Sequence, residues 1–138
     1  MYGNNNLIEK YREQAISTMS KGELIVSLYD EVIKDLKYAS SLHKQGNDAA
    51  ARKCTDKCRS ILNYLIVILD DKYELSARLR KLYSFMVGQI IITDATGDTS
   101  RIDAIVPQLE ELRGAWAEAE KNLRTQGGSE PMPKVPKL

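Results

Sequence analysis

Residues 20–36 read "SKGELIVSLYDEVIKDL", and Leu24, Leu28, Val32 and Leu36 recur at every fourth position. That spacing predicts a helix with one face turned to a core. Ser20 followed by Glu23 has the form of a capping box, so the helix is predicted to start there and to run to about Lys44. Gly46 suits its C-terminal stop. A second helix is predicted from Asn47 or Asp48 to about Asp70, with Cys54, Cys58, Ile61, Leu62, Leu65 and Leu69 at helical spacing. A third covers about Tyr73 to Thr93 and places Leu75, Leu79, Leu82, Met86 and Ile90 inside. "ATGDTS" then breaks the pattern, with Gly97 as terminator and Asp98 or Thr99 as the next N-cap. The fourth runs to about Thr125, and its inward positions are Ile102, Ile105, Leu109, Leu112, Trp116, Ala119 and Leu123. Pro107 lies within it and lacks the N–H that would bond the Asp103 carbonyl, which predicts a kink or a restarted helix.

No segment alternates with period two, and no Asn-Gly hairpin signal occurs. Four helices joined by short connections predict an all-α fold, an antiparallel four-helix bundle over residues 20–126. Residues 1–19 read as a short N-terminal arm, whose Leu7, Ile8, Tyr11, Ala15 and Ile16 suffice for a turn or two of amphipathic helix but not for independent stability. The stretch 127–138, "GGSEPMPKVPKL", holds three prolines and two glycines, so it is expected to be a disordered tail.

Charge narrows the class of partner. Twenty Lys plus Arg against nineteen Asp plus Glu leave no basic surplus, so neither nucleic acid nor an anionic membrane surface is expected as a partner. The start, "MYGNNNLIEK", has no basic segment followed by an apolar one, and the longest aliphatic run, "LIVIL" at 65–69, is too short for a bilayer. The expectation is a soluble cytoplasmic protein. At 138 residues the chain can bury roughly two thirds of its unfolded surface without a metal or disulfide.

Catalytic chemistry is sparse. The chain has one histidine, His43, near the end of the first helix, so no Ser–His or Cys–His pairing is suggested. It has no Glu-x-x-His pair for a di-metal bundle and no glycine-rich phosphate loop. A histidine phosphotransfer role for His43 is disfavoured, because "LHKQGN" sets Lys44 and Gly46 at the wrong spacing and at a helix end. Cys54 and Cys58 share a helix face in poor geometry for a mutual disulfide and read as small apolar core residues. Neither an enzyme nor a cofactor is expected.

The surplus of apolar residues is more informative. Ile25, Val26, Tyr29 and Ile33 sit off the first helix's stripe; Tyr64, Ile66, Val67 and Ile68 add to the second; Tyr83, Phe85, Val87, Ile91 and Ile92 add to the third. Contacts to two bundle neighbours absorb about half of these. The remainder predicts a surface groove that takes the apolar face of a helical partner.

The residues also carry a likeness. "YREQAISTMSKGELIVSLYDEVIKDL" resembles the start of the FliS family, with Tyr11, Gln14, a short cap at Ser20 to Leu24, and Leu28-Tyr29-Asp30. Ile61, Leu62, Leu65, Leu69 and Asp70 follow in the family's order, then Leu79, Leu82 and Tyr83, and then Leu112, Arg113, Trp116 and Ala119. "SKGE" stands where Ser-Pro-Glu is commoner, and Ala95-Thr96 where Ala-Asn is often found. The resemblance implies a helical bundle that binds the disordered C-terminal segment of flagellin in the cytoplasm. Binding would block premature polymerisation and support flagellar type III export, with the export apparatus as a further partner. Expected groove residues are Ile25, Val26, Tyr29 and Tyr83, with Asp30 as a polar anchor. Leu7, Ile8, Tyr11 and Ile16 of the arm are expected to act as a lid. The alternative is a helical adaptor or structural bundle with another amphipathic client.

Overall fold

The computed structural model describes residues 20–126, which form four helices: α1 (Lys21–Lys44), α2 (Asp48–Val67), α3 (Glu74–Thr96) and α4 (Ser100–Gln126). The arm and the tail lie outside the described residues. Each helix packs on its two flanking neighbours, α1 on α2 and α4, and α3 on the same pair. The result is an antiparallel bundle in which α1 and α3 face each other across the centre. Among the described residues there is no strand.

The connections follow from local chemistry. Ser20 Oγ accepts the Glu23 amide at 3.1 Å and starts α1, while the Glu23 carboxylate reaches Arg124 on α4 at 2.6 Å. α1 ends on Gly46 at φ +80°, where the Gly46 amide bonds the His43 carbonyl and the Asn47 amide bonds that of Leu42. Only glycine holds that left-handed position without a Cβ penalty. Asn47 then caps α2 through the Ala50 amide. Gly97, at φ +76°, closes α3 in the same left-handed region. Asp98 takes the Ser100 amide at 3.0 Å as α4 begins. α4 runs unbroken through the exposed Pro107, so the helix is not restarted there.

The core of α1 is phased differently from the expectation. Ile25, Tyr29, Val32, Leu36 and Ala39 are buried, whereas Leu24 and Leu28 are only half-buried. The reason is geometric. A helix turns once per 3.6 residues, so a strict four-residue row drifts about 40° per step and spirals away from the core. The three-four alternation that starts at Ile25 stays on one face. The first helix's presumed second surface is therefore largely its inner one.

Candidate binding surfaces

At the bundle centre Tyr29 of α1 and Tyr83 of α3 meet hydroxyl to hydroxyl, with ring centroids 6.4 Å apart and planes tilted by 50°. Their exposures are 0 % and 1 %. Both are core residues paired across the diagonal, and Tyr83 also borders a small cavity. Burial pushes both phenols up, Tyr83 to about 12 and Tyr29 further still under the added influence of its neighbour. The Trp116 indole on α4 lies close enough to restrain both shifts, yet its buried N–H closes no hydrogen bond of ordinary geometry.

Tyr83 and Trp116 form the inner wall of a small cavity, about 40 Å³, at the end of the bundle where α1 starts and α2 finishes. Ile25, Leu65, Ile68 and Leu69 supply apolar walls, with Lys21, Asp70 and Tyr73 at its edge. Ile25 thus belongs to this cavity. Val26 and Asp30 belong elsewhere, to an open groove of about 380 Å³ between α1 and α4. Ala117, Glu120 and Arg124 line that groove from α4, and Glu23 and Ser27 from α1. Asp30 is already engaged by Arg113 through contacts of 2.8 and 3.4 Å. The five expected groove residues are therefore split among the core, the end cavity and the α1/α4 groove. The expected lid residues, Leu7, Ile8, Tyr11 and Ile16, lie outside the described residues.

Apolar side chains also remain on the outer faces. Val67 is 79 % exposed and Phe85 53 %, and Tyr38, Tyr64 and Ile91 are exposed as well. The α3 stretch Ser84 to Thr93, "SFMVGQIIIT", contains no charge, so its outer face offers apolar contact without ionic partners.

His43 occupies a closed polar site. Its ring is almost fully buried, Nδ1 lies 2.8 Å from Asp48 and Nε2 3.1 Å from Asp94. Asp94 also accepts from Thr55 at 2.6 Å, and its carbonyl accepts from Arg52 at 3.1 Å. With both nitrogens occupied, the ring ties α1 to α2 and α3 and offers no nucleophile to solvent. Cys58 is buried and Cys54 half-buried on α2, both free thiols that burial pushes up. Among the described residues no His, Cys, Asp and Glu cluster is arranged to hold a metal, and no helix is long and apolar enough to cross a membrane.

Sequence reasoning missed α4's share of the groove and the Ile68, Leu69 and Tyr73 rim of the cavity. One signal was present: Glu120 follows Leu109 by eleven residues, close to three full helical turns, so a glutamate stands in a core register.

A profile of the family described as "Flagellar protein FliS" matches residues 4–123. The chain is 26 % identical over 111 residues to the flagellar secretion chaperone FliS of Bacillus subtilis (strain 168), covering 79 % of this chain and 82 % of that protein. It is 29 % identical over 110 residues to the flagellar secretion chaperone FliS of Escherichia coli (strain K12), covering 78 % and 81 %.

Proposed function

The chain belongs to the FliS family of flagellar secretion chaperones, a family that is not enzymatic, and we propose that its client is the C-terminal segment of flagellin, bound in the cytoplasm before export. The observation that carries this reading is the set of large apolar side chains left exposed on a bundle whose core is already filled, Val67, Tyr64, Phe85 and Ile91 among them. A closed four-helix core gains nothing from them in the free chain. An amphipathic client segment does, because laying its apolar face there removes both surfaces from water.

Ordering such a segment costs on the order of 2–5 kcal/mol, which a single small cavity does not offset. A client that wraps from the exposed apolar residues of α2 and α3, past the end cavity beside Ile25 and Tyr83, to the groove at Val26 and Asp30 gathers enough contact. Tyr29 acts from below by fixing Tyr83. Before the client arrives, arm residues Leu7, Ile8, Tyr11 and Ile16 cover part of this surface as a lid. The arm joins α1 directly, so its local concentration there is about millimolar or higher.

Calorimetric titration with a peptide covering the C-terminal segment of a flagellin from the same genome tests the reading. The full chain is expected to bind it, and Val26→Asp and Phe85→Ser each to weaken binding at least tenfold with unchanged thermal unfolding. Deleting residues 1–17 should tighten binding by the inverse of the fraction of time the lid is open. Absence of binding to the full chain would overturn the flagellin assignment; unchanged or weaker binding after truncation would overturn the lid.

A further inference from the structure

Two carboxylates among the described residues, Asp35 and Glu120, are buried with one oxygen outside any hydrogen bond; that of Asp35 lies 3.2 Å from the Lys57 ammonium, whereas that of Glu120 has no such cation beside it. Glu120 is 5 % exposed, and its two oxygens are treated unequally. Oε1 accepts the Ser20 hydroxyl at 2.6 Å and lies 3.4 Å from Arg124 Nε. Oε2 is buried and meets no donor among the described residues. A buried carboxylate oxygen without a donor is a costly arrangement, and folded chains keep few of them. Glu120 lines the α1/α4 groove together with the apolar Val26 and Ala117, the acidic Glu23 and Asp30, and Arg124, the one cation lining it among the described residues.

We infer that this groove is a cation-reading subsite for the client: a Lys or Arg on an amphipathic client helix pairs with the Glu120 carboxylate, which turns its covered Oε2 outward to meet it, while an apolar neighbour packs on Val26 and Ala117. The inference rests on the flagellin reading above, whose site it sharpens. Residues three or four apart share a helix face, so one turn of client helix presents both groups together. Asp30 is neutralised by Arg113, which leaves Glu23 and Glu120 against the single Arg124 guanidinium, and that balance favours a cationic visitor over an anionic one. Arg124 does not bar the way. Its side chain is 62 % exposed, and it can give up the 3.4 Å contact to Glu120 while keeping its 2.6 Å pair with Glu23. Charge-assisted pairing in a partly desolvated groove is stronger than the same contact on an open surface. The subsite therefore adds selectivity that a purely apolar surface lacks.

The test is a double-mutant cycle by calorimetric titration with the full chain and the flagellin C-terminal peptide. Glu120→Gln keeps the shape and the acceptor for Ser20 but puts an N–H₂ group where Oε2 was. It should fold at least as stably as the parent, because it removes a buried, half-satisfied charge. The expected result is an affinity loss of about tenfold or more and a shallower salt dependence. One Lys or Arg of the peptide changed to Met should cost a similar factor against the parent and nothing further against Glu120→Gln. Glu118→Gln, on the exposed side of the same helix, should leave affinity unchanged. Equal affinities for parent and Glu120→Gln, or no peptide cation that couples to it, would overturn the subsite and leave the flagellin reading standing. Failure of the parent chain to bind would overturn both. A sedimentation shift of the free chain on Glu120→Gln, without coupling to the peptide, would assign the groove to a second copy and also overturn the inference.

Discussion

Removing one hydroxyl from the Tyr29–Tyr83 pair should cost more than half of what removing both costs. The two rings pack in the core of α1 and α3, and their hydroxyls bond each other with no solvent at either. Tyr29→Phe leaves the Tyr83 oxygen without its partner in a dry site. Tyr83→Phe does the same to Tyr29. A buried polar group stripped of its partner costs about 1–3 kcal/mol, whereas replacing both partners by apolar groups of the same shape is close to neutral. Each single variant is therefore expected to lose about 1–2 kcal/mol, and the double variant about 1 kcal/mol or less. The lower end of the single-variant range is the better expectation, because the unpartnered Trp116 N–H can turn to the surviving hydroxyl. For a domain of this size, about 1 kcal/mol moves the midpoint by roughly 3–5 °C. Urea unfolding followed by circular dichroism, with slopes unchanged among the four proteins, gives the energies directly. Additive losses, or single variants within about 0.5 kcal/mol of the parent, would refute a paired and desolvated contact. Either Tyr→Ala change should cost far more, about 3–5 kcal/mol, because it empties a ring from the core as well.

The same pair sets an alkaline limit. The folded Tyr83 phenol is raised to about 12 from the usual 10.0 by burial, and Tyr29 is raised as well, so the unfolded chain releases these protons first. Stability contributed by the neutral phenols is fully present below pH 10 and falls as pH rises from there toward 12. Tyrosinate absorbance and helix content should change together in that window, and Tyr83→Phe should flatten the decline; a free titration near pH 10 of all seven tyrosines without loss of helix would contradict it. His43→Ala should destabilise the chain by about 2–3 kcal/mol, because it leaves a gap between Asp48 and Asp94 where the buried ring bridged them. Denaturant midpoints measure this, and a change below about 0.5 kcal/mol would mean that the ring ties nothing together.

Much of the bundle was legible in the linear pattern because its causes are local. Gly46 and Gly97 stop helices through a backbone conformation that other residues resist, and Ser20 and Asn47 start them through their own side chains. The three-four spacing placed Ile102, Ile105, Leu109, Leu112 and Trp116 on the inner face of α4, because alternation tracks a helix, but beyond Trp116 it pointed to Ala119 and Leu123, which are half-buried, where Glu120 is the buried residue. The surplus of apolar residues on the second and third helices was also visible, and Val67, Phe85 and Ile91 do lie exposed. Which surplus residues would be buried was not. Tyr29 and Ile25 were misread beside a strict four-residue row, although the three-four alternation through Ile25, Tyr29 and Val32 marks the inner face; that Tyr29 meets Tyr83 there depends on α3 lying across the bundle. Likewise Val26 and Glu120 are 94 positions apart in sequence, and no periodicity within either helix shows that they share one groove. Helix caps and faces are decided within a few residues and belong to the sequence. The pairing of one face with another depends on which helices flank which, so the cavity, the tyrosine pair and the groove belong to the tertiary structure alone.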